Sequence, residues 1–294
     1  MSEDHRVQPG IGDSRRRVAL GYLRLPHAAP LLVVVGLTVA LAIVVAGGWP
    51  PAWRLALMTL AMLGGQVVVG VANEIVDLDN DRATKPDKPI PAGLVSLRGA
   101  GIAMAAGAAL TVAAGAPLGG AAFLLVVVGN GIGVAYSIWF KRTMFAWVPY
   151  LAALPLLPIW GAVALDRFRP ALLALYPLGA LAVVGVYLAQ SAPDIAADRR
   201  AGLRTLTTRL GERGTLAAAW STSIFSAALI VLLDRVVGGG GAGILWAAGL
   251  TVAMTAGNAA LHVVRPAAAV STLFPVTAVG AGMLGLAWVA AHVG

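Results

Sequence analysis

Asn73, Asp77 and Asp81 are spaced four residues apart in the stretch Asn73-Glu74-Ile75-Val76-Asp77-Leu78-Asp79-Asn80-Asp81-Arg82. Gln190, Asp194 and Asp198 repeat that spacing, and Arg199 follows Asp198 as Arg82 follows Asp81. Each matched pair is offset by 117 residues. Both sets stand where a long apolar segment runs into a basic loop. Carboxylates are expensive beside hydrocarbon, so their placement there points to function. Two clusters of one spacing point to a single site built from the halves of an internal repeat. On a helix, a four-residue step overshoots one turn by about 40°. Asn73, Asp77 and Asp81 therefore share a face, and Gln190, Asp194 and Asp198 share another. Tyr187, seven residues before Asp194, lies on that second face. Glu74 and Asp79 are expected to point elsewhere.

Two carboxylate faces beside many cations suit magnesium and a phosphorylated substrate. Magnesium prefers hard oxygen ligands and takes one or two carboxylates, with water and substrate phosphate completing its shell. Lys85 and Lys88 follow the first set, Lys141 and Arg142 follow the fourth apolar segment, and Arg199, Arg200 and Arg204 follow the second set. Lys and Arg are the standard phosphate partners. The residues thus point to a diphosphate held at the membrane surface with its apolar tail among helices, most simply an isoprenyl diphosphate.

The elements that must position these groups are membrane helices. Hydrophobic residues form 59% of the 294-residue chain and charged residues 12%, against about 25% charged in soluble domains. The absence of cysteine excludes disulfides, thiolate catalysis and Cys-ligated zinc. The histidines, His5, His27, His262 and His292, are too scattered for a histidine metal centre. At about 20 residues per crossing, nine spans are expected, near 28–48, 54–76, 98–115, 118–139, 145–165, 170–192, 214–233, 242–264 and 268–291. Residues 1–20 read as a flexible basic tail and 21–294 as a single transmembrane domain. With the N-terminus inside, 17 of the 21 Lys and Arg fall on one side, and only Arg54, Arg167, Arg169 and Arg235 on the other. The positive-inside rule then places the N-terminus and both acidic sets on the cytoplasmic face, in the cell (inner) membrane. Asp166 and Asp234 are expected as solvated charges in outer loops. The basic face suits anionic lipids rather than nucleic acid.

The run from Asn73 through Asp81 to Lys88-Pro89-Ile90-Pro91-Ala92-Gly93 resembles the first motif of the UbiA family of intramembrane prenyltransferases. Asp194 through Asp198, continued by Gly202, Leu203, Arg204, Thr205 and Leu206, is similar to the family's second motif. Tyr136-Ser137 with Lys141-Arg142 resembles its Y-S…K-R loop, and Tyr22-Leu23-Arg24-Leu25 its N-terminal helix entry. The resemblance implies an all-α integral membrane protein. Its nine helices would form a ring around a central cavity, as two four-helix pseudo-repeats plus a final helix. It also implies Mg²⁺-dependent prenyl transfer from a polyprenyl diphosphate to an aromatic, quinone-precursor or other lipid acceptor. By position, Asn73, Asp77 and Asp81 would serve one metal and Asp194 and Asp198 the other. Lys88 and Lys141 would contact the diphosphate, with Arg82 and Arg199 as helpers. Tyr136 and Tyr187 would lie near the allylic carbon. The chain departs from the family pattern at Lys88, where Arg is usual, at Ser191, where many members carry Asp, and at Glu74, where Asp is usual.

Ionisation of the C–O bond would give an allylic cation, which an aromatic face stabilises by about 0.5–2 kcal/mol. An acceptor then attacks. Two other outcomes stay open on these residues. An isoprenoid cyclase would capture the cation with the substrate's own double bond. A secondary transporter would use repeats with intramembrane acids, although here the acids gather at one face. The sequence assigns no base, acceptor or chain length.

Overall fold

The computed structural model describes residues 11–26, 28–237 and 241–293. Every regular element among them is helical: α1 (Ile11–Arg24), α2 (Ala28–Ala46), α3 (Ala52–Val76), α4 (Leu78–Thr84), α5 (Leu97–Gly115), α6 (Gly120–Ala135), α7 (Val148–Ala153), α8 (Leu156–Ala164), α9 (Leu175–Ser191), α10 (Ile195–Arg200), α11 (Leu206–Val237), α12 (Ala242–Val264) and α13 (Pro266–Val293). Seven helical stretches are long and apolar enough to cross a membrane, and two shorter apolar ones, Leu31–Ala46 and Val148–Ala164, stand at the first and fifth expected spans. The fifth is divided because Pro155 separates α7 from α8; proline supplies no N–H and clashes with the preceding turn. The basic stretch read as a tail is helical from Ile11 onward, and residues 1–10 lie outside the described ones. The seventh span begins earlier than the expected 214, because α11 starts at Leu206 and continues through a kink at Gly211.

The repeat seen in the residues is a repeat in space. α3 leads into the short α4 and then α5; α9 leads, through a 3₁₀ turn at Ala192–Asp194, into the short α10 and then α11. Asp77 and Asp194 are the junction residues, with φ/ψ of −87°/−1° and −91°/−6°. α3 packs along α5 as α9 packs along α11, and α13 returns to pack on α2, closing the helices into a ring.

Small residues set the spacing at these contacts. A Cβ on Gly64 would stand 2.5 Å from the Gly107 carbonyl, and one on Gly107 would stand 2.8 Å from the Gly64 carbonyl. The backbones of α3 and α5 therefore touch, the close approach that glycine permits in membrane helices. The Thr111 hydroxyl spans the contact, donating to the Ala61 carbonyl at 3.2 Å. In the other half, a Cβ on Gly185 would meet Thr222 Oγ1 at 2.5 Å.

The largest apolar cluster, including Leu41, Met58, Trp160, Leu178, Ile230, Ile244 and Trp288, fills the end of the bundle opposite the acidic sets. That end is closed by packing. One of the two expected outer loop charges is corrected here. Asp166 is exposed in its turn, where it pairs with Arg54 at an N···O distance of 2.5 Å. Asp234 is only 3% exposed and faces His292, 4.0 Å away, whose ring stacks on Trp288 at 3.9 Å. It sits on the inward face of α11 one turn before that helix ends, which charge alone does not reveal.

Candidate active site

The first acidic set lies at the α3–α4 junction and is buried: Glu74, Asp77 and Asp81 are 2%, 7% and 2% exposed. Removing a carboxylate from water costs several kcal/mol even after relaxation. The chain meets this with cations from two loops. Lys141 Nζ donates to Asn73 Oδ1 at 2.8 Å and also to Asp77 Oδ2. Arg142 reaches the other Asp77 oxygen at 3.3 Å. Lys88 Nζ bridges Asp81 and Glu74, each at 2.7 Å. The set is thus split: Asn73 and Asp77 face Lys141, while Glu74 and Asp81 face Lys88.

Glu74 was expected to point away and instead joins the cluster. The signal was present as a spacing of seven residues to Asp81, two helical turns, which places both on one side of the helix. Asp79 does lie apart, pairing with Arg82 at 3.2 Å on the exposed side. That contact also draws Arg82 away from Lys88 and Lys141.

Each lysine is placed by local chemistry. Lys88 heads the Pro-Ile-Pro-Ala-Gly turn, whose Ala92 N–H donates to the Lys88 carbonyl at 2.9 Å. Gly93 closes the turn at φ +71°, a conformation that favours glycine. Ile90 and Val95 anchor it in an apolar cluster with Leu25, Val71 and Leu78. Burial alone would lower the Lys88 ammonium; its hydrogen bonds to Asp81 and Glu74 outweigh that and hold it above its ordinary 10.5. Lys141 follows a π-helical turn, Tyr136–Phe140, closed by the Lys141 N–H on the Tyr136 carbonyl at 2.8 Å. Such turns shift side-chain register and recur at functional sites.

The second set is differently furnished. Asp194 is exposed and Asp198 half-buried, and neither enters an ion pair or side-chain hydrogen bond among the described residues. Lys141 and Lys85 lie within electrostatic reach of Asp198, and the Tyr136 hydroxyl lies within reach of both Asp77 and Asp198. The two halves therefore converge on one region. Arg199 is drawn elsewhere, its guanidinium donating twice to the Thr208 carbonyl, at 3.2 and 3.0 Å, so it braces α10 against α11. Gly202, at φ +71°, ends α10 with the Leu203 N–H on the Asp198 carbonyl at 2.9 Å.

Three tyrosines line the space between the halves. Tyr150 stands edge-on to Tyr136 at 5.4 Å and to Tyr187 at 5.6 Å between ring centres. Tyr136 and Tyr187 were expected near this place, and Tyr150 was missed. Its hydroxyl donates to Gln190 Oε1 at 2.9 Å. Asn73 and Gln190, matched across the repeat, thus hold neighbouring parts of the chain, Asn73 the loop before α7 through Lys141 and Gln190 α7 itself through Tyr150.

A model of the UbiA prenyltransferase family matches residues 33–274. The chain belongs to the UbiA prenyltransferase family. By that membership it is an integral membrane prenyltransferase. It is 31% identical over 196 residues to the digeranylgeranylglyceryl phosphate synthase of Methanoculleus marisnigri, covering 65% of this chain and 67% of that one. Among solved structures, the apo UbiA homolog from Aeropyrum pernix superposes with a TM-score of 0.68 at 26% identity, covering 85% of this chain and 96% of that one. A UbiA homolog from Archaeoglobus fulgidus bound to GPP and Mg²⁺ shares the fold, with a TM-score of 0.68 at 20% identity and coverage of 92% and 99%. The helical arrangement of this UbiA chain is therefore a fold shared with distant members.

Proposed function

We propose that this chain transfers an isoprenyl group from its diphosphate to a lipid acceptor bearing a phosphorylated glyceryl headgroup. The observation that carries the diphosphate is the charge balance of the site. Glu74, Asp77 and Asp81 pair with three cations, Lys88, Lys141 and Arg142, while Asp194 and Asp198 add two carboxylates that enter no ion pair among the described residues. Lys85 adds a weaker, more exposed charge. An anionic diphosphate entering so acidic a site is repelled unless divalent cations accompany it. The acceptor class rests on the named activity of the similar Methanoculleus marisnigri protein.

The donor set fits magnesium. All the oxygens are hard ligands, and no three acidic side chains converge on one point among the described residues. That suits an ion which takes one or two carboxylates and completes its shell with water and phosphate. Asn73, Asp77 and Asp81 would hold one ion, and Asp194 and Asp198 the other. Bound magnesium supplies charge neutralisation for a leaving diphosphate. The chain's own groups do the rest. Lys88 and Lys141 turn from the acids to the diphosphate oxygens as its charge builds. The faces of Tyr136, Tyr150 and Tyr187 shelter the allylic cation. Apolar helix faces between the acidic end and the packed cluster take the isoprenyl tail and exclude water.

The test is diphosphate release by purified protein supplied with geranyl, farnesyl or geranylgeranyl diphosphate, with and without Mg²⁺. Three acceptor conditions are compared: geranylgeranylglyceryl phosphate, 4-hydroxybenzoate and none. Release that needs both Mg²⁺ and the glyceryl phosphate is expected. Release with no acceptor that yields a cyclised hydrocarbon rather than the free prenyl alcohol assigns a cyclase, and release with only the aromatic acid reassigns the acceptor.

A further inference from the structure

A second polar site lies at the acidic end of the bundle, outside the diphosphate machinery. Gly211 breaks α11 at φ +71° and ψ 176°, and the helix restarts at Glu212. The restart, the end of α12 and the start of α13 enclose a cleft of about 530 Å³ lined by Leu210, Gly211, Glu212, Arg213, His262 and Pro266. That volume falls within the roughly 300–1,000 Å³ of small-ligand pockets.

The lining has a definite chemistry. Arg213 offers a planar fork suited to phosphate. It enters no ion pair among the described residues, and neither does its neighbour Glu212. The His262 Nδ1 is buried without a partner. The wall is fixed: the ring stands edge-on to Trp220 at 5.7 Å. Trp220 Nε1 donates to Asn258 Oδ1 at 2.9 Å, and Asn258 Nδ2 donates across to the Ala269 carbonyl and Thr272 Oγ1, both at 3.0 Å. Beside His262, Val263 and Val264 are 83% and 77% exposed, an apolar surface along which acyl chains can run.

We propose that this cleft binds a phosphodiester lipid headgroup that carries a hydroxyl or ammonium donor. Arg213 and His262 take the phosphate, and Glu212 accepts from the donor while disfavouring a dianion. Leu210 and Pro266 cover the glycerol carbons. The site stands apart from prenyl transfer, and its test needs none.

The experiment is native mass spectrometry of the delipidated full-length protein in neutral detergent. The probes are dioleoylphosphatidylglycerol, dioleoylglycerol and inorganic phosphate. Wild type is expected to retain phosphatidylglycerol and not dioleoylglycerol. Arg213→Gln weakens retention about tenfold, the scale of one lost charge-assisted contact, and His262→Gln weakens it independently. Arg167→Gln, at the opposite end, leaves it unchanged. Thermal melting and elution of each variant separate lost binding from lost fold. Retention by Arg213→Gln and His262→Gln equal to wild type overturns the proposal. So does equal retention of dioleoylglycerol, or displacement by inorganic phosphate at the lipid's own concentration, which assigns the cleft to free phosphate.

Discussion

Asp77 and Asp194 occupy the same backbone position in the two halves, yet they begin from different states. Asp77 is buried and held by Lys141 and Arg142; Asp194 is exposed. Replacing either with Asn keeps the shape and removes the charge. Each substitution is expected to lower Mg²⁺-dependent diphosphate release by at least about a hundredfold, the scale of losing one well-placed electrostatic contact. The melting temperature of Asp194→Asn should stay near wild type. Full activity in both variants would sink the two-ion reading.

Lys88 gives a pH prediction at the same scale. Its folded-state value lies above the ordinary 10.5, so the Glu74 and Asp81 contacts stabilise the fold fully below the unfolded value. That contribution is lost as pH rises through the folded one. Thermal melting should fall with pH above about 10.5 in wild type. In Lys88→Met the starting stability is lower, because two buried carboxylates have lost their partner, and this part of the alkaline decline is absent. Equal alkaline slopes in the two proteins would remove Lys88 from the account.

At the scale of elements, the first acidic set depends on how closely α3 and α5 approach. Gly64 lies nine residues before Asn73 on the same helix, and its missing side chain lets the Gly107 backbone in. Gly64→Val must push α5 away and is expected to cost about 1–3 kcal/mol, as overpacking does, and to reduce turnover by shifting Asn73 and Asp77. Gly101→Ala, on α5 with nothing within 4 Å of its new Cβ, should leave both properties unchanged. Melting and turnover measured on the pair check this, and a Gly64→Val protein matching Gly101→Ala would refute the contact as a spacer.

Taken whole, the molecule is divided between a packed end and a polar end. Trp160 is 2% exposed in the large cluster at the packed end. Trp160→Ala is expected to cost about 3–5 kcal/mol while leaving the KM for the isoprenyl diphosphate headgroup near wild type. A short-chain donor such as dimethylallyl diphosphate reads this most cleanly, because its tail does not reach far into the bundle. A KM raised as strongly as by Lys141→Ala would place Trp160 in the binding site rather than in the scaffold.

The helical membrane class, the internal repeat and most of the polar residues that gather at one end are legible along the chain. Apolar runs, a four-residue acidic spacing and a constant offset are local properties of the chain, and the matched backbone angles at Asp77 and Asp194 follow from them. Partners within the site are not legible there. Glu74 belongs with Asp81 because a lysine seven residues beyond Asp81 folds back over both. Arg82 and Arg199 leave the site for Asp79 and Thr208, and Tyr150 enters it through Gln190, forty residues away. Asp234 is buried although charge and position placed it in a loop. Each of these was decided by which side chains meet when helices distant in sequence pack. Periodicity fixes the face a residue occupies, and only the tertiary arrangement fixes what that face touches.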